Sequence, residues 1–186
     1  MVDVMVAVAP GCEEIETVGI VDTLRRAQFD VDLVSVGDEL TVECSRRIRL
    51  TADKLLDEVK PGDYQLLVLP GGAPGCEYMK NHPQFIQFIR DFYHAPNYLA
   101  AICAAPAAVL QTHHIAPGAI KTCHPDYFKD LPSDKRSEQR VVIDAEARLI
   151  TSRGPGTAIE FALAIIKELA GSTLAEQVAK PMLNQA

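Results

Sequence analysis

The stretch that decides the fold of this chain is Tyr98-Leu99-Ala100-Ala101-Ile102-Cys103-Ala104-Ala105-Pro106-Ala107-Ala108-Val109-Leu110. Its first five residues form an apolar, strand-like run, and the residues after Cys103 are small and prone to form a helix. Pro106 is tolerated near the start of a helix, because the N–H that proline lacks would be unpaired there. The stretch therefore predicts a strand-to-helix elbow with Cys103 at its corner.

A thiol at this corner is a candidate nucleophile. It would face unpaired backbone N–H groups and the positive end of the helix dipole. Both favour the thiolate, so the sequence predicts a pKa for Cys103 below the usual value of about 8.5. Four neighbouring alanines leave space for a substrate or an oxidant to reach the sulfur. The alternative is a small buried cysteine that only packs between sheet and helix.

Strand-like and helical patterns alternate along the rest of the chain. Strand-like apolar runs lie at Val2–Val8, Val31–Val36, Gln65–Leu69, Tyr98–Ile102, Val141–Ile143 and Arg148–Thr151. Most of them are separated by helical patterns, and this alternation predicts an α/β fold with a mostly parallel sheet covered by helices. No linker or internal repeat interrupts the 186 residues, so we expect a single domain over residues 1–186.

The last long helix has boundary signals in the sequence. Thr157 and Glu160 have the spacing of a capping box, directly after the turn Gly154-Pro155-Gly156. Gly171 is a natural end for the same helix. We therefore expect this helix to begin at the Thr157 cap and to end at Gly171.

The predicted sheet also predicts where a site would form. In open parallel sheets, ligands bind beyond the carboxyl ends of the strands. Four loops leave such ends, at Ala9–Glu14, Pro70–Gly75, Cys103 and Ser152–Gly156. We expect these loops to converge on one crevice.

Composition excludes several classes of function. The chain is 48% hydrophobic and 23% charged with a net charge of −7, which argues against a nucleic-acid or anionic-membrane surface. No apolar run approaches the roughly 20 residues that cross a bilayer. Asp3 interrupts the apolar start, so no signal peptide is predicted and we expect a cytoplasmic protein. Five cysteines without a C-x-x-C pair predict reduced thiols and no metal site.

Two polar residues are candidates for proton transfer. Glu16 heads a helical stripe that is otherwise apolar, and burial there would raise its pKa toward neutrality. The alternative is that Glu16, like Glu13 and Glu14, only complements the helix dipole. His124 lies in Cys123-His124-Pro125, a loop-like context, and imidazole titrates near neutral pH. The other four histidines are expected on the surface.

Backbone donors are expected beside the sulfur. Pro70-Gly71-Gly72 ends an apolar strand and lacks the G-K-[ST] ending of a phosphate loop. Together with Ala104, Gly71 and Gly72 would supply N–H groups for an oxyanion. The alternative is a turn that merely ends the strand.

Six short motifs occur in order along the chain: PGCEEIET (Pro10–Thr17), Cys44-Ser45-Arg46, LPGG (Leu69–Gly72), AICAAP (Ala101–Pro106), SRGPGT (Ser152–Thr157) and EFALA (Glu160–Ala164). Together they resemble the ThiJ/PfpI superfamily, and most closely its parkinsonism-associated deglycase branch, which includes bacterial ThiJ-like chaperones. The resemblance extends from Val4 to about Pro181.

The resemblance implies a role for each matching residue. Cys103 matches the nucleophile at the elbow, Glu16 the protonated carboxyl group that hydrogen-bonds it, and His124 a histidine beside it. Arg26 and Arg46 match arginines near the dimer interface and the active site. The resemblance also implies a flavodoxin-like sandwich with helices on both faces, a homodimer, and no metal or organic cofactor.

The chain departs from that branch at its other cysteines. Thr51 falls where close relatives often carry a second, interface cysteine, so redox control through that position is not expected. Cys12 and Cys123 are additional thiols near the expected crevice. Either is a candidate to form a disulfide with Cys103 or to resolve its sulfenic acid.

The activity implied by the resemblance is that of a glutathione-independent glyoxalase and protein deglycase. Its substrates would be methylglyoxal, glyoxal, or early aldehyde adducts on protein side chains. The alternative is a redox sensor or redox-activated chaperone that uses the same cysteine in oxidative stress. Peptidases of the superfamily carry His after the nucleophile, where this chain has Ala104. Class I glutamine amidotransferases use G-x-C-x-G, which is Ala101-Ile102-Cys103-Ala104-Ala105 here, so both activities are disfavoured.

Overall fold

The computed structural model describes residues 2–185, in which strands and helices alternate. The strands are β1 (Asp3–Val8), β2 (Asp30–Ser35), β3 (Thr41–Glu43), β4 (Arg49–Thr51), β5 (Lys54–Leu55), β6 (Leu66–Leu69), β7 (Tyr98–Ile102), β8 (Val141–Asp144) and β9 (Leu149–Ser152). The α-helices are α1 (Glu14–Arg26), α2 (Ala73–Lys80), α3 (Pro83–His94), α4 (Ala158–Ala170) and α5 (Ser172–Ala179). A short π-helix covers Pro106–Gln111, and a 3₁₀ helix covers Pro125–Asp130.

Seven strands form one sheet in the order β5-β2-β1-β6-β7-β9-β8. Neighbours pair in parallel from β5 to β9, and β8 pairs antiparallel with β9 at one edge. The central order β2-β1-β6-β7-β9 is the flavodoxin-like order. The expected α/β class, a flavodoxin-like sandwich with a mostly parallel sheet, is therefore confirmed. Strands β3 and β4 form a separate antiparallel hairpin.

Helices cover both faces of the sheet. All four residues of β6 and the last four of β7 are buried, as expected for strands covered on two sides. Helix α1 packs on α4, and α4 on α5, while α2 packs on α3 and on the π-helix. In α3, Phe85, Ile89 and Phe92 are fully buried, each contributing about 1.5–3 kcal/mol of hydrophobic stabilisation. None of the helices within residues 2–185 is long and apolar enough to cross a bilayer.

The prediction of a capping box at the start of α4 is wrong. Thr157 precedes the helix, but its Oγ1 donates to the carbonyl of Gly154 (2.9 Å) and lies 2.7 Å from Ser152 Oγ. Glu160 pairs with Arg140 at 2.7 Å instead of reaching back to the cap. Both side chains therefore serve tertiary contacts with neighbouring segments. The expected end of α4 is confirmed, since Gly171 follows it with φ +92°.

Candidate active site

A cavity of about 620 Å³ opens beyond the carboxyl ends of the parallel strands. The four loops expected to converge all contribute to its lining, through Glu13, Gly72–Pro74, Cys103 and Pro155. Ala104, next to Cys103, also lines the cavity. The hairpin and the segment around the 3₁₀ helix supply the remaining wall residues: Ser45, Arg46, His124, Asp126, Tyr127, Lys129 and Asp130. The prediction of one shared crevice is confirmed.

Cys103 is held at a strained elbow. Its φ is +66°, in the left-handed region that residues with a side chain rarely adopt. Its backbone N–H donates to the carbonyl of Ser152 (3.0 Å), and its carbonyl accepts from the N–H of His124 (2.8 Å). These two bonds fix the unusual backbone, and the side chain lines the cavity while the residue remains only 9% exposed.

The predicted lowering of the Cys103 pKa is wrong. The N–H groups of Gly72 and Ala104 donate to the sulfur and favour the thiolate, as expected. Burial and the negative charge of Glu16 outweigh these donors and raise the pKa of Cys103 to about 12. Protonation of Glu16 removes that charge and supplies an O–H donor. The thiolate is therefore favoured when the proton resides on Glu16.

Glu16 is fully buried beside the sulfur, so burial, one of the two alternatives for this residue, is the one observed. Its Oε2 accepts from the N–H of Gly71 at 2.7 Å. Its Oε1 is buried without a hydrogen-bond partner among residues 2–185, which suits a protonated oxygen. Burial raises the pKa of Glu16 to about 7. At neutral pH this carboxyl group is therefore poised to hold or release a proton.

The three glutamates at the start of α1 have different partners. Glu13 caps the helix, because its carboxylate accepts from the N–H of Glu16 at 2.7 Å. Glu14 is buried and accepts from Ser45 Oγ (2.8 Å) and from the N–H of Arg46 (2.7 Å). The expectation that Glu14 only complements the dipole is wrong. It ties α1 to the hairpin that forms one wall of the cavity.

The raised pKa of Glu16 makes folding stability depend on pH. The folded protein keeps this proton up to about pH 7, whereas the unfolded chain releases it near pH 4.5. The contribution of Glu16 to the free energy of unfolding is therefore complete below pH 4.5. It is lost as the pH rises to 7, a decrease of about 3 kcal/mol. Denaturant unfolding of the native chain and of Glu16→Gln at pH 4.5 and 8 should show this loss in the native chain alone. Parallel pH dependences would contradict the prediction.

Gly71 has a role other than the expected one. Its N–H is bonded to Glu16, so it does not point a free donor at an oxyanion. A Cβ at position 71 would lie 2.5 Å from Cys103 Cβ and 2.8 Å from Glu16 Oε2. Glycine is required here because thiol and carboxyl group approach each other across its bare Cα. Of the three predicted donors, Gly72 and Ala104 face the sulfur.

His124 lies on the cavity wall and is bonded to Cys103 through its backbone. Its Nδ1 accepts from the N–H of Asp126 at 3.3 Å. The same nitrogen lies 3.5 Å from Oδ2 of Asp126. The structure brings His124 to the cavity that Cys103 lines, and a part for its ring in proton transfer stays a prediction.

The two predicted arginines lie in different places. Arg46 lines the cavity. Arg26 lies at the last turn of α1, far from Glu16, and pairs with Asp22 at 2.7 Å on the helix surface. Arg26 therefore does not reach the cavity, and its support of a dimer stays a prediction.

Two further residues of the site were not predicted as such. Ser45 anchors Glu14, and Tyr127 lines the cavity. Both follow a recognisable signal, since Ser45 lies in the Cys44-Ser45-Arg46 motif and Tyr127 lies in the short helix expected near it. What the sequence did not show is that these segments fold over the same strand ends.

Comparison with known proteins agrees with this geometry. The sequence profile of the DJ-1/PfpI family matches residues 2–168, most of the chain. The chain belongs to the DJ-1/PfpI family. The site of this DJ-1/PfpI protein thus lies on a fold and in a sequence context shared with known relatives.

Three relatives illustrate the range of the family. The chain is 38% identical over 180 residues to Protein DJ-1 homolog B of Arabidopsis thaliana, covering 97% of this chain but 41% of that longer protein. It is 34% identical over 173 residues to the glutathione-independent glyoxalase DJR-1.2 of Caenorhabditis elegans, covering 91% and 89%. The solved structure of oxidized Toxoplasma gondii DJ-1 superposes with a TM-score of 0.96 at 38% identity, covering 100% of both chains.

The chain also spans less than half of a second plant relative, 45% of Protein DJ-1 homolog A of Arabidopsis thaliana, at 39% identity. The aligned part is therefore one unit of a longer plant protein. Family membership and the flavodoxin-like fold follow directly from these comparisons. Activity, substrates and partners need a separate argument.

Proposed function

We propose that this protein is a glutathione-independent glyoxalase that converts methylglyoxal to lactate and glyoxal to glycolate. The observation that carries the proposal is the pairing of Cys103 with a buried carboxyl group, Glu16, whose pKa is raised to about 7. This isomerisation requires a nucleophile and a proton carrier whose pKa lies near the working pH. The C. elegans relative named above is itself called a glutathione-independent glyoxalase.

The first step is addition of the sulfur to the aldehyde carbon. With the proton on Glu16, the Cys103 thiolate forms a C–S bond, and the aldehyde oxygen takes the electron pair of its C=O bond. The N–H groups of Gly72 and Ala104 already donate to the sulfur, so they lie close to the oxygen that becomes negative. Glu16 gives its proton to that oxygen, which completes a hemithioacetal and leaves Glu16 as a carboxylate for the next step.

The second step moves hydrogen between the two former carbonyl carbons. A carboxylate at position 16 removes the proton from the carbon bonded to sulfur, which gives an enediol. Return of a proton to the neighbouring carbon gives the thioester of lactate. Glu16 suits both transfers because its pKa is near neutral, and the ring of His124 is assigned to exchange of protons with the oxygens. Water then hydrolyses the thioester and releases lactate and the Cys103 thiol.

Deglycation would use the same first step. An early adduct of an aldehyde with a Cys, Lys or Arg side chain keeps an electrophilic carbon that the Cys103 sulfur can attack. The cavity of about 620 Å³ is open to solvent, so an adduct carried on a protein side chain can enter it. The small dicarbonyl compounds remain the primary substrates of this proposal.

The test is formation of lactate from methylglyoxal by purified, reduced protein without glutathione. Free thiols capture aldehydes reversibly, so only lactate in excess of the enzyme counts as catalysis. We expect many turnovers per chain. Absence of lactate from the folded, reduced protein would refute the glyoxalase proposal.

A redox function is the second candidate, and one observation favours it. The sulfur of Cys103 faces two backbone N–H groups and a carboxyl group, which are the donors that stabilise the oxygens of a sulfinate. We expect mild peroxide to add two oxygen atoms to Cys103 before it modifies the other four cysteines. Mass spectrometry of the treated protein tests this order, and earlier oxidation at another cysteine would remove the support.

We also propose that the protein is a homodimer. Apolar side chains are exposed on α1 and on the adjoining hairpin, with Ile15 60% and Ile48 52% exposed. A groove between these elements, lined by Val18, Val21 and Leu50, continues the patch. An exposed apolar patch of this kind supports an interface with a second copy of the chain.

The proposed dimer predicts the effect of a charge in this patch. Light scattering should give twice the mass of one chain for the native protein. Val18→Asp should yield the monomer, because burying the new carboxylate in the interface costs several kcal/mol. Ile143→Asp is the matched control, since Ile143 is an exposed apolar residue on the distant edge strand β8. A dimer that survives Val18→Asp would place the interface elsewhere.

A further inference from the structure

Cys12 and Cys44 form a pair of thiols that the proposed chemistry of Cys103 does not use. Their Sγ atoms lie 3.5 Å apart, and both residues are buried. Cys12 belongs to the loop after β1, and Cys44 directly follows β3. The pair therefore joins two segments whose residues are 32 positions apart in sequence.

The main chain holds these two cysteines side by side. The N–H of Gly11 donates to the carbonyl of Glu43, and the N–H of Ser45 donates to the carbonyl of Cys12, each at 2.8 Å. Helix α2 packs tightly behind Cys12, because a Cβ on Gly75 would lie 2.7 Å from its Cα. The short distance between the sulfurs is thus built into the backbone. Closing the disulfide requires the two sulfurs to move from 3.5 Å apart to the S–S bond length of about 2.05 Å.

Cys12 and Cys123, the two cysteines expected to react with Cys103, have other groups as their nearest polar neighbours. Cys12 Sγ accepts from Thr17 Oγ1 at 3.6 Å, and its second polar contact is the Cys44 thiol. Cys123 Sγ contacts the carbonyl of His124 and belongs to a small separate apolar cluster. The geometry therefore favours Cys44 over Cys103 as the partner of Cys12.

We propose that Cys12 and Cys44 are a reversible oxidation site, at which a hydroperoxide closes an intramolecular disulfide. The Cys12 sulfur, supported by the Thr17 hydroxyl, attacks the O–O bond and becomes a sulfenic acid while the hydroperoxide leaves as an alcohol. The Cys44 sulfur then attacks the Cys12 sulfur, the S–O bond breaks, and water leaves as the S–S bond forms. Two thiols lose two electrons in total, and the hydroperoxide gains them.

Burial makes this reaction slower than one at an exposed thiolate. Burial raises the pKa of both thiols, while the Thr17 hydroxyl partly offsets the effect at Cys12. The Cys103 sulfur, by contrast, lines the open cavity, so the disulfide should form under sustained oxidant, after Cys103 has begun to react. The bond would join the loop that carries Glu13 to the hairpin that carries Ser45 and Arg46, and so would cross-link two walls of the cavity.

Peptide mapping of the whole, unmodified chain tests the proposal. The reduced protein is treated with hydrogen peroxide, free thiols are blocked with N-ethylmaleimide in denaturant, and the chain is digested with trypsin. Cleavage after lysine and arginine puts each of the five cysteines on a different peptide. We expect the peptides that contain Cys12 and Cys44 to be cross-linked. The mass of the cross-linked pair should be two hydrogens below the sum of the two peptide masses, and dithiothreitol should separate the peptides again. Sulfinate at Cys103 is distinguished because dithiothreitol does not reverse it.

Variants provide the matched controls. Cys44→Ser and Cys12→Ser should each abolish the cross-linked pair, and Cys76→Ser, which replaces another buried cysteine, should retain it. Mapping of the unmodified chain decides the matter even if a variant fails to fold. A reversible cross-link that contains Cys103, or the absence of any cross-link between Cys12 and Cys44 after prolonged treatment, would overturn the proposal.

Discussion

Cys103→Ser should form lactate from methylglyoxal at least about 1,000-fold more slowly than the native protein, a loss of about 4 kcal/mol of transition-state stabilisation. Serine keeps the size of the side chain and the donors around it. Its hydroxyl has a far higher pKa than a thiol and no neighbouring base of matched strength, so it is a poor nucleophile. Steady-state production of lactate without glutathione measures the effect.

Cys76→Ser is the matched control for this loss. Cys76 is also buried, and its thiol donates to the carbonyl of Pro70 at 3.9 Å, a long contact that contributes little to stability. Its activity should remain within a few-fold of the native value. Substantial turnover by Cys103→Ser would exclude the covalent mechanism, and equal losses in both variants would point to damage to the fold.

Gly71→Ala should lower activity at least about 100-fold and destabilise the fold by about 1–3 kcal/mol. The added methyl group would lie 3.0 Å from Cys103 Sγ and 2.8 Å from Glu16 Oε2, so it must push the thiol and the carboxyl group apart. Both the pairing of Cys103 with Glu16 and the close packing at the elbow are lost. Lactate production and denaturant unfolding measure the two effects.

Gly156→Ala distinguishes a local clash from a general effect of replacing glycine. Gly156 lies in the loop after β9, next to the cavity residue Pro155, and an added Cβ there meets no atom within 4 Å. The activity of this variant should remain within a few-fold of the native value, and its free energy of unfolding within about 0.5 kcal/mol. Native activity in Gly71→Ala would show that the proximity of Cys103 and Glu16 is not required.

The sequence was sufficient for the sheet and for the place of the site. Alternation of apolar strands with helices is a local pattern, and the rule for parallel sheets then puts the loops at one edge. For Glu16 the sequence left two outcomes open, because a carboxyl group at the head of an apolar stripe lies either at the solvent edge or in the core. For the sheet and the place of the site, a periodic or positional pattern decided the outcome.

Properties that depend on the combined effect of several neighbouring residues could not be predicted from the sequence. The Cys103 pKa rises although the expected N–H donors are present, because burial and the charge of Glu16 act together against them. Gly71 bonds Glu16 rather than an oxyanion for a similar reason, since only the folded chain brings residues 16 and 71 together. The missing capping box at Thr157 shows the same limit, because Glu160 pairs instead with Arg140, 20 positions away in sequence.

The three separate tasks of Glu13, Glu14 and Glu16 place a constraint on the length of the chain between β1 and α1. Successive residues of a helix are turned by about 100° around its axis. Inserting or deleting one residue before Glu16 would therefore rotate this carboxyl group away from the sulfur, and would misplace either the cap or the anchor of the hairpin. The number of residues in this segment is therefore constrained by the fold.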